Sequence, residues 1–129
     1  MKFTEAFRVL GYEVAVPRQD WSAEKSDGVC VSLWMKEVDW KTLSVDTRVQ
    51  AGPNELWRDK PGNKKRIAHL TRALADFGGL IDVVTVHGDP GQGFGEAAPW
   101  LPEERRGHVW RILSVDPATG HFQAQAELA

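Results

Sequence analysis

The sequence has little cysteine and no long apolar run. Cys30 is the single cysteine among 129 residues, so no internal disulfide can form. It lies in an apolar run, residues 28–35, where a free thiol usually acts as a small buried hydrophobe. This pattern predicts a reducing, cytoplasmic location. No window approaches the roughly 18 apolar residues that a membrane span needs, and the first residues lack the apolar stretch of a signal peptide, so no membrane partner is predicted.

The sequence also lacks a charge excess of either sign. Lysine and arginine number 16 and aspartate and glutamate 18, which gives a formal net charge of −2 at pH 7. Proteins that bind long polyanions usually carry a clear basic excess, so this balance argues against a general polyanion binder. The hydrophobic and charged shares, 42% and 26%, are those of an ordinary folded protein. Length and composition together predict a single domain over residues 1–129.

Hydrophobic periodicity predicts two helices, and apolar runs predict the strands between them. The first helix spans residues 3–10 and precedes Gly11, a natural helix stop. The second spans residues 63–77, with Asn63 as its N-cap and two glycines after its end. Apolar runs, some of them alternating with polar residues, predict five strands: 12–16, 29–35, 80–87, 109–115 and 122–128.

The order of these elements predicts the fold class. The run 28–35 is apolar at nearly every position, which is typical of a central strand covered on both faces. The last two strands flank a turn with proline early and glycine late, so they form an antiparallel hairpin. The stretch 18–27 is polar and is interpreted as a loop, and residues 36–50 are compatible with a strand that carries a long excursion. The prediction is an α+β fold, with a mixed, strongly bent sheet or small open barrel and two helices packed on it.

The start of the second helix is unusually basic. A helix N-terminus carries partial positive charge and therefore favours acidic neighbours, so a cluster of cations there is a local mismatch. An anion docked at the N-terminus would remove the mismatch, because backbone amides and side chains would then converge on a phosphate. The other interpretation is a solvated basic face that nearby acids offset. The predicted anion or nucleic-acid contacts are Arg58, Lys60, Lys64, Lys65 and Arg66.

Tryptophan is in surplus, with six residues in the chain. Trp34 and Trp110 fall within predicted strands and are expected in the core. Three others lie in predicted loops, where an indole ring serves either to stack on a base or to anchor a protein partner. Loop tryptophans also seal loops over the core of a small domain. The predicted stacking or partner contacts are Trp21, Trp57 and Trp100.

A glycine-rich stretch follows the strand 80–87. It contains a G-x-G-x-G pattern, but no helix follows it and it has no P-loop lysine, so it does not predict a nucleotide site. It is interpreted as a mobile loop that closes over a ligand or touches it. The residues assigned to this loop are Asp89, Gly91, Gly93 and Gly95.

Groups for metal binding and catalysis are sparse in the sequence. The four histidines share no i, i+4 spacing and have no cysteine or carboxylate at ligand spacing, so no metal or other cofactor is predicted. His87 and Asp89 stand at a strand end, where a general base with an orienting acid is sometimes found. They support a minor hypothesis of a small hydrolase. No catalytic residue is assigned, and an enzyme is not the favoured interpretation.

The residues between Asp20 and Lys36 resemble small uncharacterised bacterial and phage-borne domains. In that pattern a Trp-Ser-Ala element, here Trp21-Ser22-Ala23, precedes an Asp-Gly turn, a strand and a tryptophan, here Trp34. The order of elements also resembles PUA/EVE-like barrels, whose members read modified or flipped bases in RNA and DNA. The second resemblance implies a barrel-like fold and a base-reading function.

The leading hypothesis is a non-catalytic binding module for nucleic acid or a nucleotide-like anion. The basic helix start would bind phosphate, and Trp21 or Trp57 would offer a stacking face. The alternative is a small protein–protein inhibitor or accessory factor, for example a phage counter-defence protein, that uses Trp57, Trp100 and the glycine loop. Salt separates the two hypotheses, because phosphate contacts weaken steeply with salt and a tryptophan-centred interface does not.

Overall fold

A computed structural model describes residues 1–50, 57–89 and 95–129 of the chain. The helices are α1 (Phe3–Val9), α2 (Thr47–Gln50) and α3 (Pro61–Asp76). The strands are β1 (Ser22–Lys25), β2 (Gly28–Trp34), β3 (Ser44–Asp46), β4 (Leu80–Val86), β5 (Ala97–Pro99), β6 (His108–Val115) and β7 (Phe122–Leu128). Short 3-10 turns occupy Met35–Glu37 and Pro102–Glu104. Within the described ranges, no helix is long and apolar enough to cross a membrane.

The strands form one mixed sheet in the order β1-β2-β4-β6-β7-β3, with β5 paired to β4. β2 and β4 are parallel, and the other strand pairs are antiparallel. β4 bends between partners, since its first residues pair with β6 and its last with β5. Among the described strands β1 and β3 end the sheet without pairing to each other, so it is open. The predicted α+β fold with a bent mixed sheet is confirmed.

The long helix α3 begins earlier than predicted and by a different device. Pro61 occupies the first helical position, where its missing N–H is no loss, and Lys60 stands at the N-cap without a side-chain cap. The predicted cap, Asn63, lies inside the helix, and its side-chain amide donates to the backbone carbonyls of Arg58 and Thr119 at 2.9 and 3.1 Å. The asparagine therefore ties two loops to the helix instead of capping its start.

Two predictions about the first third of the chain are wrong. Residues 12–16 do not form a strand, because the Val16 N–H donates to the Asp20 carboxylate at 3.0 Å and its carbonyl accepts the Asp20 N–H at 2.9 Å. Val16 is thereby bound to the buried Asp20, and residues 12–16 do not pair with another strand. The polar stretch 18–27, interpreted as a loop, contains β1, which pairs antiparallel with β2. Residues 36–50 contain the short strand β3 and the one-turn helix α2.

The β2–β4 pair separates two hydrophobic clusters. Alternate residues of these strands, such as Val31 and Val83, face a cluster that includes Leu70 of α3 and Trp110 of β6. The intervening residues, Cys30 and Val84 among them, face a second cluster that also holds the aromatic residues Phe3, Phe7 and Tyr12. β2 and the second half of β4 are thus buried on both faces, as the apolar run in β2 predicts. Of the two tryptophans expected in the core, Trp110 is buried and Trp34 is half-buried.

Candidate functional site

Three segments that are distant in sequence meet at the start of α3. Gly62 lies so close to the loop before β1 that a Cβ there would come within 2.5 Å of the Gln19 carbonyl oxygen and 2.7 Å of the Trp21 ring. On another side, a Cβ at Gly120 in the β6–β7 turn would lie 2.1 Å from Asn63 Oδ1. The start of α3 is therefore clamped between the Trp21 loop and the last hairpin.

Arg66 is buried among aromatic rings beneath this junction. Its guanidinium carbon lies 4.9 Å from the ring centroid of Trp21, 5.3 Å from Trp57 and 5.0 Å from Phe122. Nη2 reaches Asn63 Oδ1 at 3.4 Å, and Nε has no hydrogen-bond partner among the described residues. Burial lowers the pKa of Arg66 to about 10, an effect that the Glu37 carboxylate partly opposes. The side chain remains a cation at neutral pH, enclosed by π faces.

Trp21 and Trp57 form an aromatic pair on this buried cation. Their ring centroids are 6.2 Å apart and the rings meet edge to face, at an interplanar angle of 68°. Trp57 also meets the ring of His121 edge to face, at 5.4 Å. Both tryptophans are half-buried, so each keeps part of its indole at the surface. The structure thus brings together two of the three tryptophans that the sequence singles out.

Lys65, next to Arg66 in the chain, binds a buried carboxylate. Its Nζ lies 2.9 Å from Asp20 Oδ2, and the Asp20 side chain is only 1% exposed. Burial alone raises the pKa of Asp20, but the hydrogen bonds from Lys65 and from the Val16 N–H outweigh it and lower the pKa below its ordinary value. Lys65 therefore serves the fold, because it holds the Trp21 loop against α3.

The other three basic residues are exposed around the start of α3. Arg58, Lys60 and Lys64 form no ion pair within 4.0 Å with any carboxylate in the described part of the chain. The backbone contributes less than a free helix end would, because the N–H groups of Asn63 and Lys64 both donate to the Lys60 carbonyl. Positive charge at this surface therefore comes from side chains rather than from an open cradle of amides.

The remaining residues predicted for the site lie elsewhere or serve the fold. Trp100 is 4% exposed, and its Nε1 donates to the His108 carbonyl at 2.9 Å, so it packs in the core and is not part of the α3 surface. Asp89 pairs with Lys36, and the Gly95 N–H donates to the His87 carbonyl at 2.8 Å. Gly91 and Gly93 lie outside the described residues.

A serine–histidine–glutamate chain, which the sequence does not predict, joins β1 to α3. Ser22 Oγ lies 2.6 Å from His69 Nδ1, and His69 Nε2 lies 2.9 Å from a Glu24 carboxylate oxygen. Ser22 is 1% exposed, so no substrate reaches its hydroxyl, and the chain joins β1 to α3. Its signal in the sequence is the i, i+2 spacing of Ser22 and Glu24, which is meaningful only if that segment is a strand.

The pair that the sequence offered for hydrolysis does not form a dyad in the structure. Within the described ranges, no hydrogen bond joins the side chains of His87 and Asp89, and Asp89 instead binds Lys36. The same part of the chain contains no group of three or more His, Cys, Asp or Glu side chains that could hold a metal ion. The charged and aromatic surface at the start of α3 is thus the best-developed candidate site.

Comparisons with protein-family models, with curated proteins and with solved structures returned no match to this chain. The chemistry of the α3 surface is therefore the basis for assigning a function. The α3 site is the surface formed by Trp21, Trp57, Arg58, Lys60 and Lys64, with Arg66 beneath it.

Proposed function

We propose that the α3 site binds nucleic acid or a nucleotide-like anion without catalysing a reaction. The observation that carries this proposal is the half-buried pair Trp21–Trp57, which rests on a buried arginine and is flanked by cations that have no acidic partner among the described residues. Stacking of one base on an aromatic ring contributes about 1–3 kcal/mol and tolerates any base, because every base has a π face. Exposed lysine and arginine side chains supply the phosphate contacts.

Arg66 supports the stacking surface from below. A cation against one face of an indole draws electron density toward that face, since the ring quadrupole is attracted to it. The outer surface of Trp21 and Trp57 then favours neutral, electron-rich rings such as nucleobases over a second cation. Arg66 thus acts through the tryptophans and does not itself touch phosphate.

The phosphate contacts divide differently from the sequence prediction. Arg58, Lys60 and Lys64 are the groups free to meet a phosphate, whereas Lys65 is committed to Asp20. With a net charge of −2 over the whole chain, three local cations favour a short segment or a mononucleotide over a long duplex.

The test is a titration of tryptophan fluorescence with short single-stranded and double-stranded oligonucleotides at low and high salt. We expect quenching by single strands that weakens as salt rises. The double variant Lys60→Glu/Lys64→Glu should bind about tenfold or more weakly, because it replaces two phosphate contacts with repulsive charges.

The matched control is Lys41→Glu, which makes the same charge change at an exposed lysine in another loop. It should bind within about twofold of the wild type. Equal affinity of the double variant and the wild type would sink the proposal, as would the absence of any quenching by oligonucleotides.

A further inference from the structure

A pocket lies beside Trp100 and is lined by none of the residues of the α3 site. It is a cavity of about 300 Å³, which is near the lower end of the range for small-molecule sites. Its apolar wall consists of Trp40, Leu43 and Trp100, and its polar rim of Glu104, Arg105, Arg106 and His108.

The two tryptophan walls are held in place by hydrogen bonds. Trp40 Nε1 donates to the Met35 carbonyl at 3.1 Å, and Trp100 Nε1 donates to the His108 carbonyl at 2.9 Å. The two rings lie 6.5 Å apart, centroid to centroid, and are within 21° of parallel. Trp110 packs edge to face against Trp100, with the ring centroids 5.4 Å apart. The cavity therefore has flat aromatic walls whose orientation is set before any ligand arrives.

Backbone strain is concentrated at the same pocket. Leu43 and Arg106 have φ angles of +51° and +55°, and in the described part of the chain they are the only non-glycine residues with positive φ. Both line the cavity. Such a conformation costs on the order of 1 kcal/mol and persists only where the surroundings enforce it, as they do at ligand clamps. Here the Leu43 carbonyl accepts the Ala126 N–H at 2.8 Å, which fixes the left-handed turn to β7.

The rim carries positive charge that no carboxylate of the described residues neutralises. The Arg105 guanidinium lies 4.7 Å from the Trp100 centroid and 5.9 Å from that of Trp40, so it faces the aromatic walls. Among residues 1–50, 57–89 and 95–129, no carboxylate comes within 4.0 Å of Arg105 or Arg106, and the rim residue Glu104 pairs with neither. A planar guanidinium with open donors is suited to a bidentate contact with a carboxylate or phosphate.

We propose that this pocket binds a small, flat aromatic anion, and that it does so independently of the α3 site. The ring of the ligand lies against Trp40, Leu43 and Trp100, and its carboxylate or phosphate accepts hydrogen bonds from Arg105. The strained turns at Leu43 and Arg106 place the apolar wall and the basic rim on either side of this ligand.

The experiment uses four probes with the same ring: 1-naphthoate, 1-naphthyl phosphate, the neutral 1-naphthamide and the cationic 1-naphthylmethylamine. Affinity is measured by calorimetry, and the indole N–H signals of Trp40 and Trp100 are followed by NMR. We expect one or both anions to bind about tenfold or more tightly than the amide, with the amine weakest. The relative affinity of the two anions distinguishes a carboxylate ligand from a phosphate ester.

Two variants and a control locate the binding. Arg105→Met removes the charge and keeps the aliphatic stem, and Trp40→Leu removes the outer wall. Each should weaken 1-naphthoate about fivefold or more while thermal unfolding stays cooperative. Arg8→Met, at an exposed arginine of α1 outside both sites, should leave 1-naphthoate binding unchanged. The proposal is overturned if no anion binds at about 5 mM, if the amide binds as tightly, or if both variants bind like the wild type.

Discussion

Lys64, Lys65 and Arg66 are consecutive in sequence, yet their environments in the folded chain differ completely. Successive residues of a helix point about 100° apart, so three neighbours cannot share one surface. Lys64 faces solvent, Lys65 pairs with the buried Asp20 and Arg66 lies under two tryptophans. The basic cluster of the sequence thus divides into one surface cation and two that hold the site together.

The ion pair of Lys65 with Asp20 gives the first stability prediction. Lys65→Glu puts a second carboxylate beside one that is 1% exposed, and we expect it to lower the free energy of unfolding by about 1–3 kcal/mol, less than for a fully buried pair because the Lys65 side chain is 37% exposed. Lys64→Glu, one position earlier on the exposed face, should change it by less than about 0.5 kcal/mol. Urea unfolding of both variants measures the difference, and equal losses would contradict the role assigned to Lys65.

His69 gives a prediction about pH. Burial lowers its pKa below the ordinary 6.5, against the opposing carboxylates of Glu24 and Asp20, and burial lowers the pKa of His121 in the same direction. Near pH 6.5 the histidines of the unfolded chain therefore bind protons, whereas those of the folded chain stay neutral. The free energy of unfolding is thus highest above about pH 6.5 and falls as the pH drops toward the pKa of the folded state.

The measurement is urea unfolding between about pH 7.5 and pH 5.5, where we expect the wild type to lose stability on acidification. His69→Gln should reduce this loss, since one of the two histidines then no longer titrates. NMR titration of the His69 ring provides a direct check. A midpoint above 6.5 would show that the carboxylates dominate over burial and would reverse the predicted sign.

The junction between α3 and the Trp21 loop is best probed at Gly62. Alanine normally favours a helix over glycine by about 1 kcal/mol, but the added Cβ would lie 2.5 Å from the Gln19 carbonyl oxygen. We therefore expect Gly62→Ala to destabilise the protein by about 1–3 kcal/mol and to shift the fluorescence of Trp21. Ala75→Gly, at an exposed position of the same helix, should cost about 1 kcal/mol and leave the fluorescence unchanged. A stabilised Gly62→Ala variant would mean that the loop packs less tightly than described.

The elements that the sequence predicts well are those with a strong local pattern. α1, α3, β2, β4 and the last hairpin all follow from periodicity or turn chemistry, and their bounds are wrong by at most a few residues. The failures occur where a distant partner decides the outcome. Residues 12–16 alternate like a strand, but Asp20 captures the backbone donor of Val16. β1 is polar and short, and it becomes a strand because β2 lies beside it.

The candidate site is predictable in its ingredients and not in its arrangement. Trp21, Trp57 and the basic helix start stand out by residue type alone, and the structure places them together. No local pattern reveals that Arg66 lies beneath the rings or that Lys65 belongs to Asp20, because these contacts join residues up to about 45 positions apart. Trp100 stands in a predicted loop, and its neighbours Pro99 and Leu101 give no local sign that its ring is buried.

For the whole molecule, the small net charge and the local cations together set the form of the salt dependence. A single strand that meets Arg58, Lys60 and Lys64 should release counterions from about three phosphates, which gives a slope near −2 for the logarithm of the binding constant against that of salt. The affinity should also stop rising once the oligonucleotide spans these three side chains. A slope near zero would contradict the phosphate contacts, and the absence of quenching at both salt concentrations would instead favour a protein partner that uses Trp57.

The order of the strands has a consequence for how a ribosome delivers this protein. β2 can pair with β4 only after a further 52 residues have been synthesised, since Cys30 pairs with Asp82. β3 likewise needs β7, since Ser44 pairs with Gln125. A nascent chain that has reached α3 therefore exposes an apolar strand with no neighbour except β1. Long-range strand pairing forms slowly and leaves unpaired apolar strand edges exposed during synthesis. We therefore expect chaperones to bind the nascent chain before its last strand emerges.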